Sequence, residues 1–558
     1  MYRRLCARFE DMAVMNMRYV FSKIMTALIA SFLLMAGAAA QEKPQEKLIV
    51  PHFVEETATA GISSLYQGEW QYMVGGGVAA FDCNSDGYPD LAFAGGEAVS
   101  SLYVNKSEKG GALRFEKADG MAALENVTGF YPLDIDGDGI MDLVVLRVGE
   151  NVLLRGRGDC KFERANETWG FQGGNAWWTA FSATWEKGNS WPTLAFGAYI
   201  DPAQELNPWG SCTDNLLYRP RESGGYADSI PLKPSYCALS ILFTDWNRSG
   251  TAALRVSNDR EYYEGGQEQL WHLEPGQAPR LYTDAEGWKF LKIWGMGIAA
   301  TNFPDELYPS YFLTSMSDNK LQILRAPDSD QKPKPLYRDI AYDRGVVAYR
   351  PYMGGDLKPS TAWHAQFEDV NNDGRPDLFI AKGNVDRMPD FAQKDPNNLL
   401  LQKPDAHFVE VGDVSGIESF SIARGAMLAD FNLDGKVDLV VVNRRETIKI
   451  WRNISDESGS FIALRLQSPT SNRDAIGAWV EVKTALGVQR REITSGGGHA
   501  SGQNGYWHFG LGNAKSAEIR VIWPDGTEGP WYTIDAGQFY RVSHGEAPKP
   551  WVPPSRAN

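Results

Sequence analysis

The sequence predicts an all-β protein, a seven-bladed β-propeller followed by a small, sandwich-like all-β domain. Three observations lead to this prediction. An acidic loop motif recurs seven times at intervals of 51–67 residues. An aromatic motif recurs with it but begins one copy earlier. The C-terminal part of the chain instead alternates polar and apolar residues with the period of two that is typical of half-buried strands.

The acidic motif has the form Asp-x-(Asp or Asn)-x-Asp-Gly-x-x-Asp, and an apolar, β-prone run follows each copy. Four copies are intact, at 82–90, 134–142, 369–377 and 430–438. Three degraded copies start at Trp185, Asp245 and Asn302. Repeats of about 50 residues indicate supersecondary modules that cannot bury a core alone. The length of the chain alone would suggest several domains. Seven modules of four short strands instead predict a single domain.

The aromatic motif consists of a Phe or Leu, then acidic or polar residues, then a Gly. Its first copy, at 53–61, precedes the first acidic loop, and no copy follows the last loop. Ring closure requires this offset, because the N-terminal strand then completes the final module and leaves no unpaired edge. We therefore assign residues 48–455 to the propeller. A linear β-solenoid is the alternative interpretation.

The C-terminal region follows a polar linker at 453–460. Strand-like segments separated by Gly-rich turns indicate a second, small all-β domain over 461–545. The remaining residues, 546–558, are rich in Pro and are predicted to form a loose tail.

The N-terminal 40 residues resemble a leader rather than a part of the fold. A basic region with Arg18 and Lys23 precedes the apolar run 25–35, and small residues lead up to a predicted cleavage after Ala40. The true start codon stays open between Met1, Met15 and Met17. A membrane anchor is the alternative, but the apolar run is shorter than the roughly 20 residues a span needs. The leader predicts a periplasmic or secreted protein.

The charge of the chain is acidic. The formal net charge is −15, and beyond residue 40 there are 50 basic against 68 acidic residues. The four intact loops alone contain 13 Asp. Because a binder of phosphate backbones needs a basic face, this balance argues against a nucleic-acid partner.

Four cysteines follow the leader, an even number that suggests two disulfides in an exported protein. Three pairings are open. The pair Cys212–Cys237 closes a short loop and is favoured, which leaves Cys83–Cys160 as the second pair. Four buried thiols are the alternative.

The four intact acidic loops are predicted to bind Ca²⁺. This ion takes six to eight oxygen ligands, and the side chains of positions 1, 3, 5 and 9 can converge on it with the carbonyl of position 7. The predicted ligands are Asp82, Asn84, Asp86, the Tyr88 carbonyl and Asp90; Asp134, Asp136, Asp138, the Ile140 carbonyl and Asp142; Asp369, Asn371, Asp373, the Arg375 carbonyl and Asp377; and Asp430, Asn432, Asp434, the Lys436 carbonyl and Asp438. The alternative is an acidic turn without metal, in which close carboxylates would repel one another.

A fifth, weaker site is predicted at Asp245, Asn247 and Ser249, where Ala253 replaces the ninth-position ligand. No ion is expected at the other degraded copies, because Lys187 and Pro304 occupy ligand positions there. The ions are predicted to be structural, since each would pin one hairpin and its binding free energy would add to folding.

These residues resemble known families. The acidic loops and the strands after them resemble FG-GAP or VCBS repeats, the blades of integrin alpha-subunit propellers. Five segments in fixed order resemble an ASPIC and UnbV domain, namely 472–478, 489–492, 495–499, 508–512 and 522–526. Together they resemble the bacterial cartilage-acidic-protein family. The resemblance implies an exported calcium-binding propeller that acts in adhesion or interaction, and it implies no established reaction.

A search for catalytic residues finds no zinc-binding spacing among the seven His, no G-x-S-x-G elbow and no Walker loop. The best candidate for a ligand-binding loop is the Gly-rich segment 495–505, with His499, Ser501 and Gln503. The alternative is a plain connection between strands.

Two hypotheses of function remain. The first is an extracytoplasmic interaction module that recognises protein or glycan through a propeller face. The second is a secreted enzyme acting on polysaccharide, with its site at the propeller centre or in the Gly-rich loop. The abundant tryptophans, 18 in all, are interpreted as core packing, with a sugar-stacking face as the alternative. No stable membrane span is expected, and the oligomeric state stays open.

Overall fold

The computed structural model describes residues 48–121, 123–201, 212–259, 266–325 and 332–554. Regular structure in these ranges is almost entirely antiparallel strand. The exceptions are one short α-helix, α1 (Ala341–Arg344), and two 3₁₀ turns, at Trp70–Tyr72 and Asp284–Glu286. The predicted leader, 1–40, lies outside the described residues.

The strands after β1 (Phe53–Glu55) form successive antiparallel groups of four, which we call blades. Blade 1 contains β2 (Val78–Phe81), β3 (Asp90–Phe93), β4 (Ser101–Asn105) and β5 (Phe115–Ala118); blade 2 contains β6 (Val127–Leu133), β7 (Asp142–Gly149), β8 (Val152–Gly156) and β9 (Phe162–Arg164); blade 3 contains β10 (Ala176–Thr184), β11 (Thr193–Ala198), β12 (Asn215–Tyr218) and β13 (Ile230–Leu232). Blade 4 contains β14 (Ala238–Thr244), β15 (Ala253–Asn258), β16 (Gln269–His272) and β17 (Arg280–Leu281); blade 5 contains β18 (Gly295–Thr301), β19 (Ser310–Ser315), β20 (Lys320–Leu324) and β21 (Tyr337–Asp339); blade 6 contains β22 (Ala362–Glu368), β23 (Asp377–Lys382), β24 (Asn398–Gln402) and β25 (Phe408–Glu410). Blade 7 contains β26 (Ala423–Ala429), β27 (Asp438–Asn443), β28 (Lys449–Asn453) and, as its fourth strand, β1.

The first strand of each blade is the innermost and, in most blades, is buried throughout its length. β6, β10 and β14 have no exposed residue, since apolar side chains fill both of their faces. First strands of consecutive blades contact each other, and β26 of the last blade contacts β2 of the first. β1 pairs with β28, with Phe53 opposite Asn453. The predicted all-β, propeller-like architecture is therefore confirmed.

The C-terminal region forms two further four-stranded sheets. Its strands are β29 (Ser460–Gln467), β30 (Trp479–Thr484), β31 (Gly487–Glu492), β32 (Ser495–Gly496), β33 (Gly502–Gln503), β34 (Trp507–Gly512), β35 (Ser516–Ile522), β36 (Tyr532–Asp535), β37 (Gln538–Ser543) and β38 (Lys549–Trp551). One sheet has the order β34-β29-β37-β38 and the other β31-β30-β35-β36. The prediction of a loose tail is wrong for 549–551, because β38 pairs with β37 and the Trp551 ring stacks on Tyr506 at 5.0 Å.

The C-terminal domain packs on the end of the propeller that carries the acidic loops, which we call the loop end. The His508 Nε2 lies 2.6 Å from Asn372 Oδ1, and the Gly512 amide donates to the Asn372 carbonyl at 2.8 Å. The Phe461 ring packs so closely on Gly435 that a Cβ there would approach it to 1.9 Å. One buried apolar cluster includes residues of blades 2 and 3 together with the interior of the C-terminal domain.

The segment 495–503 leaves the C-terminal sheets and enters the centre of the ring; we call it the plug. β32 pairs with β10, where Ser182 lies opposite Gly496, and β33 runs parallel to β2. The Gly498 amide donates to the Ile298 carbonyl at 2.7 Å. Glycine lets the plug backbone approach the innermost strands without side-chain clashes. The plug is therefore a structural part of the propeller interior.

The plug gives the fold an expected sensitivity to acid. Burial lowers the pKa of His499 to about 3 and that of His364 to about 4, and the Arg424 guanidinium also lowers the pKa of His499. Both rings are neutral in the folded state. Their contribution to stability is complete above the ordinary pKa of about 6.5 and is lost as the pH falls from there toward 4. At pH 5 the loss is about 2 kcal/mol for each ring.

Melting curves between pH 7.5 and pH 5 measure this loss. The variant His499→Gln is expected to show a shallower fall of melting temperature with acid than the unaltered protein. His407→Gln is the matched control, because His407 is exposed. Equal slopes for all three proteins would contradict the assignment.

Candidate metal centres

The four intact acidic loops share one hydrogen-bond frame between the first two strands of a blade. The first Asp accepts from the amide of the Gly at position 6; Asp82, Asp134, Asp369 and Asp430 do so at 2.9, 2.9, 2.7 and 2.7 Å. That Gly has a positive φ in every loop, near +85°, which other residues rarely adopt. The side chain of the first residue is thereby fixed over the turn.

The ninth-position Asp is held from both sides. One oxygen accepts from the amide of position 2, as Asp142 does from Ile135 at 2.7 Å. The other accepts from a later strand of the blade, as Asp142 does from Gly156 at 2.7 Å. Asp90, Asp377 and Asp438 are bound in the same way. The sequence folds locally in this way because each loop places its last Asp at the start of the next strand.

Burial makes these carboxylates costly to ionise without a cation. It raises the pKa of Asp90 and Asp142 to about 8 and that of Asp134 to about 7, and neighbouring carboxylates add to each shift. Burial likewise raises the pKa of Asp369, Asp377, Asp430 and Asp438 well above the usual range. A bound divalent cation would reverse this balance by favouring the ionised forms.

The donor sets fit calcium. Carboxylate oxygens of Asp134, Asp136 and Asp138 all lie within 4.8 Å of one another. In the last loop the Asn432 Oδ1 is buried and accepts no hydrogen bond, which leaves an oxygen free for a cation. Hard oxygen ligands of this kind suit Ca²⁺ rather than a soft metal.

Arginine side chains of the protein lie close to some of these carboxylates. The Arg155 Nη2 lies 2.7 Å from Asp136 Oδ2 and 3.0 Å from Asp138 Oδ2. The Arg375 Nη2 lies 3.0 Å from Asp373 Oδ2. Two arginines of the C-terminal domain approach the first Asp of a loop, Arg465 at 3.3 Å from Asp82 and Arg473 at 3.9 Å from Asp134.

Sequence reasoning did not identify these partners. Arg375 could have been noticed, because it occupies position 7 of its own loop. Arg155 comes from β8, and Arg465 and Arg473 lie more than 300 residues from the carboxylates they approach, so no local pattern connects them.

The degraded loops differ among themselves. Asp245 keeps the frame, accepting from the amides of Ser249 and Gly250 at 2.8 Å, and the Asn247 Oδ1 is buried without a hydrogen bond. In the copy at 185, the Glu186 carboxylate is already bound by Arg219 at 2.8 Å and by the Thr193 hydroxyl at 2.7 Å. In the copy at 302, Asp305 accepts from the Val488 amide of the C-terminal domain at 3.0 Å.

The remaining predicted residues are placed as follows. Cys83 bonds to Cys160 and Cys212 bonds to Cys237. His499 and Ser501 are buried in the plug, where His499 Nε2 accepts from the Gly75 amide and Ser501 Oγ from the Val78 amide. Gln503 lines a cavity beside the plug. The first two side chains therefore hold the plug in the ring, and Ser501 and Gln503 line that cavity.

The comparisons with known proteins bear on both regions. The family described as "FG-GAP-like repeat" matches residues 82–145 and 369–441, which contain the four intact loops. The family described as "ASPIC and UnbV" matches residues 468–549. The chain carries FG-GAP-like repeats and an ASPIC and UnbV domain. The ASPIC and UnbV match extends to Lys549, the first residue of β38. These repeats and this domain indicate an extracellular β-propeller module.

Cartilage acidic protein 1 of Mus musculus is 23% identical over 199 residues, or 35% of this chain, and the Homo sapiens protein gives the same figures. The match spans 30% of the length of these relatives. Among solved structures, BBS1N in complex with ARL6DN is 11% identical with a TM-score of 0.41, covering 74% of this chain and 98% of that one. The sialidase of Trypanosoma rangeli is 10% identical with a TM-score of 0.35, covering 64% of this chain and 58% of that one.

Among the described helices, none has the length and apolar character needed to cross a bilayer.

Proposed function

We propose that this chain is an exported, calcium-binding propeller that acts as an interaction or adhesion module for protein or glycan outside the cytoplasm. The observation that carries the calcium part is the shared frame of four buried carboxylate loops, one of which presents the unpartnered oxygen of Asn432. Ca²⁺ would be held by the Asp and Asn side chains and the position-7 carbonyls, and its role would be structural.

The binding surface is proposed at the opposite end of the propeller, where loops join second to third strands and one blade to the next. The C-terminal domain covers the loop end, so this opposite end stays free of it. Large exposed apolar side chains concentrate there; they are Trp70, Val99, Phe290, Trp294, Tyr342, Tyr349, Leu357, Val414 and Phe420. Exposed aromatic groups on a rigid scaffold are typical of interaction surfaces for protein or sugar.

Titration calorimetry with Ca²⁺ tests the metal part. We expect about four ions per chain, with a fifth at Asp245 if that site binds. Asp434→Asn removes one ligand charge but keeps the oxygen that accepts from the Lys436 amide at 3.0 Å. It should lower the stoichiometry by one.

Asp305→Asn is the matched control, since it removes an acid at the same end of the propeller from a copy with no predicted ion. It should leave the stoichiometry unchanged. If titration of the unaltered protein with Ca²⁺ produces no heat of binding, the proposal is contradicted.

For the partner, an oligosaccharide array and a hydrolase screen on the same protein separate the two hypotheses. Binding without turnover supports the interaction module, and turnover supports the enzyme.

A further inference from the structure

A lysine and an aspartate form a fully buried pair in blade 6. Lys382 is the last residue of β23, and Asp395 lies in the loop that leads from β23 to β24. The Lys382 Nζ lies 2.8 Å from the Asp395 Oδ1, and the two side chains are 0% and 1% exposed. In the other lysine ion pairs of the described chain, the lysine side chain is at least 19% exposed. Among these pairs, only Lys382 and Asp395 are closed off from water.

Burial makes the ionic form of this pair costly. The desolvation of an ammonium and a carboxylate is recovered only where further hydrogen bonds complete the pair. Transfer of one proton from Lys382 to Asp395 leaves a neutral amine against a neutral carboxyl group. A desolvated, neutral lysine amine is an active nucleophile, and here it is held against a carboxyl group that it can attack.

The neighbouring donors distinguish the two oxygens of the Asp395 carboxyl group. The Ser360 hydroxyl donates to Oδ1 at 2.8 Å and accepts from the Lys382 Nζ at 3.0 Å. This hydroxyl therefore connects the nitrogen to the same oxygen that the nitrogen contacts directly. The Thr361 amide donates to Oδ2 at 2.9 Å. Oδ1 is thus placed to receive protons, and Oδ2 is held by a backbone donor of the kind that stabilises a developing negative charge.

From this geometry we infer that the side chains of Lys382 and Asp395 condense into an isopeptide bond. One proton first passes from Nζ to Oδ1. The neutral nitrogen then attacks Cγ, and the Thr361 amide stabilises the negative charge that develops on Oδ2. A second proton passes from Nζ through the Ser360 hydroxyl to Oδ1. The Cγ–Oδ1 bond breaks, Oδ1 leaves as water, and the new Nζ–Cγ amide keeps the last hydrogen of the ammonium group.

The condensation requires no co-reactant, because the two protons that the nitrogen releases are the two that the departing oxygen takes up. It replaces two buried charges with a neutral amide, and the exclusion of water opposes hydrolysis of the product. The inference goes beyond the proposed interaction module, because this bond requires neither calcium nor a partner.

The bond would close the loop 383–394 into a covalent ring. This loop lies at the end of the propeller opposite the acidic loops, where its Asp386 Oδ1 lies 2.9 Å from the Arg444 Nη1 and 3.1 Å from the Arg445 Nη1. A protease cut within the ring would leave the two parts of the chain joined. The bond would thus protect one part of the proposed binding surface outside the cytoplasm.

Mass spectrometry of the unaltered protein, unfolded and digested with trypsin, tests the inference. We expect a peptide in which the segment that ends at Arg387 is joined to the segment that begins at Asp395, lighter than the two together by one water molecule. Lys382 within it should resist cleavage, because an acylated lysine has lost the charge that trypsin recognises. Lys320 is the control in the same protein, since it contacts two carboxylates but is partly exposed, and it should give no joined peptide.

Two substitutions test the chemistry. Lys382→Met removes the nitrogen and should abolish the joined peptide. Ser360→Ala removes the proton relay but leaves Lys382 beside Asp395. It should slow bond formation after synthesis by roughly 100-fold, the low end of the range for a positioned proton-transfer group. Ser310→Ala, at a buried serine of β19, is the matched control and should form the bond at the unaltered rate.

Separate peptides that end at Lys382 and begin at Asp395, without any joined peptide, would overturn the inference, because the pair would then be an ion pair only. The unaltered protein gives this answer, so the test does not depend on the folding of a variant. Equal rates for Ser360→Ala and Ser310→Ala would overturn the role of the relay. Calcium titration of the same samples reports separately on the proposed metal sites.

Discussion

Chelation of Ca²⁺ with EDTA is expected to lower the melting temperature on the order of 10 °C and to make the linker between β28 and β29 sensitive to protease. The buried carboxylates of the acidic loops would lose their cation, and their mutual repulsion would act at the surface on which the C-terminal domain packs. Contacts such as Gly512 to Asn372 would weaken with the loop that carries them. Scanning fluorimetry and limited digestion with a glutamate-specific protease, each with and without EDTA, measure the two effects, because the linker 454–459 contains Glu457 but no Lys or Arg.

Added Ca²⁺ should restore both, whereas Mg²⁺ at the same concentration should not, because it requires a smaller, near-octahedral site. Asp434→Asn should show part of the loss without any chelator, and Asp305→Asn should behave as the unaltered protein. A melting curve that EDTA leaves unchanged would remove the calcium proposal.

Gly77→Ala is expected to cost more than about 4 kcal/mol of folding stability or to prevent folding, the range of severe core overpacking. A Cβ at Gly77 would lie 1.7 Å from the Ala500 carbonyl oxygen of the plug, where the backbone has no room to move. Gly505→Ala, also near the plug, serves as the control, because a Cβ at Gly505 would have no atom within 4 Å.

Urea unfolding of Gly77→Ala and Gly505→Ala measures the difference, and soluble yield reports it where the first variant does not fold. Gly505→Ala should lie within about 0.5 kcal/mol of the unaltered protein. Similar stabilities for the two variants would mean that the plug does not fill the ring in solution.

The sequence predicted the repeated blades, but it did not predict the contacts between segments that are distant in the chain. The period of the acidic loops is enough to place a blade around each, since each loop carries its own strands with it. The shift of the aromatic motif correctly placed β1 beside β28. The C-terminal domain had no such signal for its position, because its contacts with Asp82 and Asn372 join segments that are distant in the chain. The Gly-rich segment was recognised as unusual. Its insertion into the centre of the ring could not be predicted, because that position depends on the three-dimensional arrangement of the blades.

The tail shows the same limit on a smaller scale. Pro-rich composition predicted a loose end at 546–558, yet the Trp551 ring lies within van der Waals distance of Gly87 and stacks on Tyr506. One aromatic anchor was sufficient to order a segment whose composition argued against it.

The pairing of β1 with β28 imposes an order on assembly. The chain is synthesised from its N-terminus, so Phe53 appears some 400 residues before its partner Asn453. Until that partner appears, β1 is an open template for pairing with another chain. Such a long-range closure is intrinsically slow. The plug comes later still, since residues 495–503 follow the strand that closes the ring. A nascent chain arrested before residue 453 is therefore the species most prone to aggregate, and a chaperone that shields strand edges would act at this stage.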